Sequence, residues 1–435
     1  MAHLLIGSVS ATTASVWVRG DRRSGEARLR YRAVGTGAWS QATVRLEVHR
    51  GYCAVANLAG LAPGTAYECE LSFSKAPPPP VRTGAFRTAP AGDADVAFIV
   101  GSCNFSKLAL FNSKNVDAAW TGIGALAAAV GADFMIHCGD QIYSDLPGVT
   151  DPDLGYFQRE YQGAWKRRPT ARVLASLPHY MMLDDHEIFD AFSNDTPYLW
   201  KPSPPIRDFA LEAYRQYQHA HNPQTYPGPA LYYAFEFGGV RFFALDVRSE
   251  RWKRHDPQMI SVLQMAEFKA WLLAHAGAPK FVVTSIPFVA EARDKDDKWC
   301  GDPFKPQRDE IVDFLAARGI GRLCFLTGDM HCSYHAEMRI TAPGGAAITV
   351  HELMASPINQ VATGMHQFVD RPARSTPGGA TYQTLPLDPA RFYGSHSNVM
   401  VVRYRRAAAH VVWEVHRTKG APTPPVPVLS GAFPL

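Results

Sequence analysis

The sequence predicts an α/β protein in which an all-β sandwich precedes a larger domain of alternating strands and helices. The chain has 435 residues, more than one ordinary domain holds, and this length favours two domains. Residues 1–88 read as short, closely spaced strands, whereas from residue 95 apolar strands alternate with helical segments. The first pattern is typical of a β-sandwich, and the second is typical of helices covering a mostly parallel or mixed sheet.

The first 88 residues contain seven strand-like runs separated by turn residues: LLIGSV, ASVWVRG, EARLRYR, ATVRLEV, YCAVANL, AYECELSF and GAFRT. Several of them alternate apolar and polar residues, which predicts one buried and one solvated face. The pattern LxPGTxYxxxLSF at residues 61–73 resembles the Leu–Pro–Gly–Tyr corner of fibronectin-type sandwiches. We therefore expect an immunoglobulin- or fibronectin-III-like sandwich over residues 1–88, followed by a linker that begins at Ala89.

The second domain is expected over residues 95–420. Its buried strands are VAFIVGS, DFMIHC, HYMMLDD, KFVVTSIP and RLCFLTGD, with an antiparallel pair formed by LYYAFEF and VRFFALD and three further strands near the end. Helices are predicted over residues 116–130, 153–166, 261–275 and 306–317, and up to about residue 220. Proline-rich composition predicts a stiff stretch at 75–80, a loop at 198–205, a long surface or lid loop at 365–389 and a C-terminal tail at 421–435.

Composition and charge exclude some classes of protein. The net charge is +4, without a dense run of Lys or Arg, which argues against nucleic-acid binding. No stretch approaches the roughly 20 apolar residues of a membrane-spanning helix, and the N-terminus does not read as a signal peptide. We therefore expect a cytoplasmic monomer as the chain is written, or a periplasmic or secreted protein if a leader was removed.

The seven cysteines form no CxxC pair, so most of them are interpreted as small buried side chains of a reduced protein. The alternative for two of them, Cys53 and Cys69, is a disulfide between neighbouring strands in an oxidising compartment. Cys103 is a special case, because it follows the strand FIVGS directly.

Side chains with metal-binding chemistry stand just beyond the buried runs. In open α/β sheets a ligand site forms outside the carboxyl ends of the strands. Several carboxylates meeting at one rim would repel one another, so positive charge must hold them together, and two metal ions would do so. The residues that follow the runs are Cys103, Asn104, Asp140, Tyr143, Asp184, Asp185, His186, Glu187, Asp190, Asp246, Arg248, Ser285, Pro287, Asp329, His331 and His335.

The donor types indicate which metals would bind. A thiolate, a phenolate, an imidazole and a carboxylate together suit ferric iron. The oxygen donors of Asp185, Asp190 and Asp329 suit a harder divalent ion such as Ca²⁺, Mg²⁺ or Mn²⁺, with Zn²⁺ as a further option. Asp140 would bridge the two ions, and two metals about 3.5–4 Å apart can clamp a phosphoryl group.

Four motifs, taken in order, resemble the motif series of PhoD-type alkaline phosphatases: GDQIY at residues 139–143, LDDHE at 183–187, LDVRSER at 245–251 and TGDMHC at 327–332. The leading sandwich is similar to the N-terminal domain of that family. The resemblance implies a calcineurin-like metallophosphoesterase fold, a β-sandwich flanked by helices. It also implies cleavage of phosphomonoesters and phosphodiesters with Fe³⁺ and Ca²⁺. The more distant purple acid phosphatases share the Gly-Asp-x-x-Tyr element.

Carried over by position, the resemblance assigns the iron to Cys103, Asp140, Tyr143 and His331, and the second ion to Asp140, Asp185 and Asp329. Asp190 stands near the place where many relatives have Asn-Asn, so it is an additional candidate ligand that leaves the second site's exact ligand set open.

The expected reaction is attack of a metal-bound hydroxide on a phosphate ester, with His186 stabilising the transition state and protonating the leaving group. Arg248 either grips a phosphate oxygen or forms an ion pair with Asp246 or Glu250. Alternatives are a phosphodiesterase or phospholipase-type enzyme with little monoesterase activity, and an interaction protein with a vestigial metal site. The charged run at residues 293–298 is interpreted as a solvated loop, and the His-Glu pair at 351–352 as structural.

Overall fold

The structure is a computed structural model that describes residues 3–75, 80–145, 152–195, 204–226, 228–420 and 425–435. Most of the proline-rich stretch predicted at 75–80, most of the loop predicted at 198–205 and the first residues of the predicted C-terminal tail lie outside the described residues.

Seven antiparallel strands form the N-terminal sandwich: β1 (His3–Val9), β2 (Thr13–Arg19), β3 (Glu26–Ala33), β4 (Ser40–Arg45), β5 (Cys53–Ala59), β6 (Ala66–Phe73) and β7 (Arg82–Arg87). One sheet has the order β1-β2-β5 and the other the order β4-β3-β6-β7. The backbone N–H of Ala62 donates to the Tyr67 hydroxyl at 2.8 Å, which is the tyrosine-corner contact typical of such sandwiches. The predicted immunoglobulin- or fibronectin-like fold is confirmed.

The remaining strands are β8 (Val96–Gly101), β9 (Phe134–His137), β10 (His179–Met181), β11 (Tyr233–Phe237), β12 (Val240–Ala244), β13 (Lys280–Val283), β14 (Leu323–Thr327), β15 (Ser333–Thr341), β16 (Ala347–Ala355), β17 (Arg374–Ser375), β18 (Thr381–Thr384), β19 (Phe392–Tyr393), β20 (Asn398–Arg405), β21 (His410–Arg417) and β22 (Leu429–Pro434). The helices are α1 (Ala109–Val130), α2 (Leu154–Trp165), α3 (Arg168–Leu174), α4 (Pro204–Tyr217), α5 (Val262–Ala274) and α6 (Lys305–Arg318).

These strands form two facing sheets. One has the order β10-β9-β8-β20-β21-β22; the other has the order β11-β12-β13-β14-β16-β15-β18-β17, with β19 paired to β15. The neighbours β10-β9-β8 are parallel, as are β12-β13-β14-β16, while β11 and β12 form the expected antiparallel pair. Aromatic side chains pack between the sheets. The ring centre of Phe98 lies 5.1 Å from that of Phe134 in its own sheet and 5.3 Å from that of Phe281 in the other sheet.

Helices cover both outer faces of this second sandwich. Trp120 and Ile123 of α1 and Val173 of α3 pack on Ile99 and Met135 of the six-stranded sheet. On the other sheet, residues of α5 and α6 join a separate apolar cluster. The architecture is therefore the predicted β-sandwich flanked by helices, and the parallel strands of both sheets deliver their carboxyl ends to one rim.

The N-terminal sandwich packs closely on the larger domain. Trp17 of β2 lies 5.5 Å from Trp165 of α2, ring centre to ring centre, and donates its indole N–H to the Gln216 carbonyl of α4 at 2.8 Å. The Tyr180 hydroxyl of β10 donates to the Val9 carbonyl of β1 at 3.1 Å. One apolar cluster runs through the N-terminal sandwich and both larger sheets.

The structure corrects two predictions of irregular structure. Within the predicted loop at 365–389, β18 pairs with β15. The pairing is accompanied by burial of the Tyr382 ring, whose hydroxyl donates to Asp309 at 2.9 Å. Within the predicted tail at 421–435, β22 pairs with β21 along its length and buries Phe433. The short helix α3, which begins with Pro169 in its first turn, was not predicted.

All seven cysteines are buried and free, so Cys53 and Cys69 form no disulfide. A search of the described residues found no helix that is both long enough and apolar enough to cross a membrane.

Candidate metal centre

Four of the predicted ligands, all at the rim where the parallel strands end, have a left-handed backbone conformation. Cys103 has φ 58°, Asp140 φ 57°, Asp329 φ 71° and His331 φ 53°. Residues other than glycine seldom adopt this region, and such residues cluster at functional sites. Each lies in the turn that follows one of the strands β8, β9 and β14.

Two glycines allow these strand ends to approach. Gly139 has φ 87°, and a Cβ there would lie 2.2 Å from the Cβ of Asp184. A Cβ on Gly328 would lie 2.6 Å from the Cys138 carbonyl oxygen and equally close to the Ser102 hydroxyl. The Gly-Asp pairs of the motifs therefore have a steric reason, since only glycine permits the neighbouring turn to pack so closely.

Cys103, Asp140 and Tyr143 converge on one carboxylate oxygen. The Cys103 thiol donates to Asp140 Oδ2 at 3.3 Å, and the Tyr143 hydroxyl donates to the same oxygen at 3.4 Å. All three are buried. Burial raises the pKa of the Cys103 thiol to about 12 and raises those of Asp140 and Tyr143 well above their ordinary values. Such a set favours a cation that can replace the protons.

A second group joins Asp184, Asp185 and Asp329, whose carboxylates offer oxygen atoms within 4.8 Å of one another. The same criterion groups Asp140, Asp185 and the imidazole of His186. Asp185 belongs to both groups and so connects the group of Asp140 with the group of Asp329.

Two buried cations compensate the carboxylates of this group. Arg248 donates to Asp184, and its Nη2 lies 3.4 Å from Asp185 Oδ2 and 3.7 Å from Asp329 Oδ1. Lys298 Nζ lies 2.7 Å from Asp329 Oδ2 and 2.6 Å from Asp297 Oδ2. Burial would raise the pKa of Asp185, but the charges of Arg248, His186 and Lys298 outweigh it and hold that pKa below its usual value.

Arg248 lies where neither sequence alternative placed it. It forms ion pairs with Asp184, Asp185 and Asp329 rather than with the side chains of Asp246 or Glu250. Its side chain is 0% exposed, so the guanidinium presents no surface to a phosphate arriving from solvent. The long side chain of arginine reaches past its neighbours in sequence to the pair of aspartates in the loop after β10.

His186 is oriented by contacts on two sides. Its Nδ1 lies 2.8 Å from Asp145 Oδ2, and its ring stacks on Tyr143 with ring centres 4.1 Å apart. Its side chain keeps 21% exposure, so the imidazole borders both the carboxylate group and solvent. Burial would lower the pKa of His186, but Asp140, Asp145 and Asp185 outweigh it and raise the pKa well above the ordinary value.

Glu187 is buried below the rim and connects the loops after β9 and β10 by hydrogen bonds. Its carboxylate accepts the backbone N–H groups of Asp140, Gln141 and Asp184 at 3.1, 2.6 and 3.0 Å. Burial raises the pKa of Glu187 to about 7, although these donors pull it down. Its role is to hold the loops after β9 and β10 in register.

The remaining two predicted ligands are placed differently. His331 is half-buried and is absent from the groups of possible ligands in the part of the chain that the structure describes. Burial lowers its pKa to about 4, although the charge of Asp329 opposes this. Asp190 is exposed and belongs to none of the groups of possible ligands found among the described residues. Its backbone N–H instead donates to Asp145 at 2.7 Å.

The residues present fit a pair of cations. Asp184 Oδ2 and Asp185 Oδ1 are buried without a hydrogen-bond partner in the described part of the chain, and unpaired buried carboxylate oxygens are costly unless a cation binds them. The donor set of a thiol, a phenol, imidazoles and carboxylates is one that metals bind.

A family model described as PhoD-like phosphatase matches residues 108–411, more than half of the 435-residue chain. The chain belongs to the PhoD-like phosphatase family. Membership makes this PhoD-like phosphatase a metal-dependent hydrolase of phosphoric esters, and it agrees with the motif series found in the sequence. A search of curated proteins found no match.

Solved structures show the same fold for this PhoD-like phosphatase. A structure of PhoD is similar with a TM-score of 0.74 and 14% identity, covering 99% of this chain and 88% of that chain. A purple acid phosphatase from yellow lupin (Lupinus luteus) seeds is similar with a TM-score of 0.59 and 9% identity, covering 99% of this chain and 73% of that chain.

Sequence reasoning missed Asp145 and Lys298 of the PhoD-like phosphatase. Lys298 falls in the charged run interpreted as a solvated loop, yet both it and Asp297 are buried. The apolar Trp299 that follows is fully buried, so the end of the charged run lies inside the protein. Asp145 stands only five residues after Asp140, and this proximity to the Gly-Asp motif was the available signal.

Proposed function

We propose that the chain hydrolyses phosphate monoesters or diesters at a binuclear centre of the iron-plus-calcium type. The observation that supports this is the convergence of Asp140 with Cys103 and Tyr143 on one side and with Asp185 and His186 on the other. A soft and phenolic donor set next to an oxygen-rich one suits two different cations.

In this proposal Cys103, Asp140, Tyr143 and His331 hold the iron, and Asp140, Asp185 and Asp329 hold the calcium-like ion. When bound, the two cations supply the positive charge that stabilises the phosphoryl oxygens and lowers the pKa of the attacking water. Asp190 is left out of the ligand set because its side chain is exposed.

His186 is proposed to act at the leaving group. Asp145 holds its Nδ1 at 2.8 Å, which directs Nε2 away from the Asp145 carboxylate and makes it the nitrogen available to the ester. An imidazole oriented in this way can stabilise the developing charge and transfer a proton to the departing oxygen.

Arg248 is proposed to be a positioning residue rather than a phosphate contact. Its fully buried guanidinium is paired with Asp184, Asp185 and Asp329, so it sets the spacing of the carboxylates before any cation arrives. Lys298 acts on the same group through Asp329.

The first test is the metal content of Cys103→Ser. Cys103 is fully buried and its thiol contacts Asp140, so the variant should lose most of its iron and any thiolate-to-iron absorption. Metal analysis and visible spectra of protein purified without chelator measure this. Cys324→Ser is the matched control, since Cys324 is equally buried but lies inside β14.

Equal iron in Cys103→Ser and wild type would refute the ligand assignment. Turnover of p-nitrophenyl phosphate and bis-p-nitrophenyl phosphate by the metal-loaded protein tests the substrate class. A diester preference of a hundredfold or more would favour the phosphodiesterase alternative, and turnover of neither ester would contradict the proposed hydrolysis.

A further inference from the structure

Three ionisable side chains outside the metal centre share one face of the β15–β16 pair. Glu337 of β15 lies directly opposite His351 of β16, and His335 precedes Glu337 by two residues. Side chains two residues apart on a strand, or directly opposite across a pair, point to the same face. This face is turned toward the six-stranded sheet, so both histidines lie inside the molecule.

The potential donor atoms are close enough to share one ion. His335 Nε2 lies 3.1 Å from His351 Nδ1 and 3.7 Å from Glu337 Oε1, and all three donor atoms lie within 4.8 Å of one another. Two nitrogen ligands of a tetrahedral zinc, each about 2.0–2.1 Å from the metal, are about 3.3 Å apart. The imidazole pair is therefore close to the spacing that a zinc ion requires.

Aromatic side chains of the opposite sheet hold the two imidazoles in place. Phe433 of β22 stacks on His335 and His351 with ring centres 4.6 and 4.0 Å apart, and Trp413 of β21 lies 5.7 Å from His335. Burial lowers the pKa of His335 to about 3 and that of His351 to about 4. Both imidazoles are thus neutral near pH 7, the state in which a ring nitrogen binds a metal.

The carboxylate of Glu337 is already paired with a cation, Arg391, that a metal ion could replace. Arg391 Nη1 lies 2.9 Å from Glu337 Oε1, but its side chain is 46% exposed and its Nε lies 3.8 Å from Asp388. An exposed ion pair of this kind contributes little to stability. A cation at the histidines could therefore replace the guanidinium at Glu337, and Arg391 would keep Asp388 as a partner.

We propose that His335 Nε2, His351 Nδ1 and Glu337 Oε1 form a site for a Zn²⁺-class divalent ion, distinct from the catalytic metal centre. Two imidazoles and a carboxylate are donors that zinc binds well, with a fourth position open to water. The bound ion would join β15 to β16 and fix the two imidazoles on which Phe433 of β22 stacks. Its proposed role is structural.

The test measures zinc stoichiometry in protein whose catalytic centre is already loaded. We expect wild type to take up one equivalent of Zn²⁺ more than His351→Gln or His335→Gln, with the catalytic metals unchanged in all three. His410→Gln is the matched control, since His410 is an exposed histidine that begins the nearby strand β21. Substitution by Co²⁺ should give a visible d–d band in wild type that is lost with His351.

Two variants keep the test decisive if the buried histidines are needed for folding. Glu337→Gln should weaken zinc binding at least tenfold, and Arg391→Ala should tighten it several-fold, because the competing positive charge at Glu337 is gone. Zinc should also slow amide hydrogen exchange in residues 429–434 of wild type and not of Glu337→Gln.

The alternative is a plain hydrogen-bonded network of the two histidines, Glu337 and Arg391. Equal zinc uptake by wild type, His351→Gln and Glu337→Gln would establish that alternative and overturn the proposal. An unchanged zinc affinity in Arg391→Ala, or an equal loss in His410→Gln, would contradict it as well.

Discussion

Asp184 and Asp185 are neighbours in sequence, yet their carboxylates meet opposite environments. Asp184 accepts from Arg248 and from the Ser285 hydroxyl, and burial, opposed by Arg248, raises its pKa to about 6. Asp185 accepts the Ala191 backbone N–H at 2.7 Å, and the surrounding cations keep it ionised. Asp184 is therefore suited to anchoring Arg248, and Asp185 to binding a cation.

His186 offers the sharpest test of a single side chain. We expect His186→Ala to lower kcat by about 10²- to 10⁴-fold, the usual contribution of an acid–base group, while bound metal stays at the wild-type level. The loss should be larger for an alkyl phosphate than for p-nitrophenyl phosphate, because only the poorer leaving group needs a proton. Steady-state kinetics and metal analysis check both expectations.

The matched control for His186 is Asp190→Asn. Its exposed carboxylate should leave metal content and kcat within about twofold of wild type, in line with the small effects of surface changes. If His186→Ala loses metal in proportion to activity, His186 is a ligand and not the proposed acid.

The strands β9 and β10, which carry Asp140 and the Asp-Asp-His-Glu motif at their ends, are joined by buried histidines. His137 Nε2 lies 2.8 Å from His179 Nδ1, and His221 lies nearby without a hydrogen-bond partner on its ring among the described residues. Burial, with repulsion between the rings, lowers the pKa of His221 to about 3, and burial lowers that of His179 to about 4. These rings are packed in the neutral form.

This packing predicts acid sensitivity. In the unfolded chain the histidines titrate near pH 6.5, so the unfolded state binds more protons than the folded state between about pH 6.5 and pH 4. The histidine contribution to stability is therefore complete above pH 6.5 and is lost as the pH falls toward 4. Urea unfolding at pH 7.5, 6.5 and 5.5 should show a falling free energy of unfolding.

The variant His221→Asn should flatten this pH dependence, since it removes one proton-binding group from the unfolded state. His410→Gln, at an exposed position, should leave the slope unchanged. An equal slope in wild type and His221→Asn would rule out the buried histidine as a source of acid lability.

A continuous set of contacts connects the N-terminal sandwich to the metal centre. Trp17 lies 5.4 Å from Tyr217, which stacks on Tyr161 at 4.9 Å. Gln218 then donates to both the Tyr161 hydroxyl and Glu187 at 3.1 and 3.0 Å. The sandwich therefore supports the base of the loops that carry Asp140 and Asp185, and the two domains share one packed interior.

The variant Trp17→Ala tests whether the larger domain depends on the N-terminal sandwich for its stability. Removing a fully buried tryptophan typically costs about 3–5 kcal/mol, and we expect the whole molecule to lose stability in one transition rather than the sandwich alone. Calorimetry and denaturant unfolding monitored at two wavelengths would measure this.

Trp39→Ala is the control, because Trp39 is only half-buried and contacts Arg32 by a cation–π interaction at 4.3 Å. We expect that change to cost about 1 kcal/mol. Two separate unfolding transitions in Trp17→Ala would contradict the shared interior.

Much of the molecule follows from local patterns. The alternation of apolar strands and helices predicted the fold, because periodicity reports which face of an element is buried. The side chains after each strand predicted the centre, because parallel strands bring their carboxyl ends to one edge. In this way the sequence proposed Cys103, Asp140, Tyr143, Asp185, Asp329 and His331 as ligands, and the structure places Asp140 beside Cys103 and Tyr143 and groups Asp185 with Asp329.

Other features depend on contacts between segments far apart in the chain. Lys298 contacts Asp329 and Arg248 contacts Asp184, and no local pattern contains these contacts between distant segments. Strand β22 also depends on distant contacts. The proline-rich segment before it predicts a tail, but Phe433 of β22 stacks on two histidines of the opposite sheet. The sequence alone determined which donors stand at the strand ends. Three-dimensional packing selected which charges face them, because burial and ion pairing are properties of the assembled core.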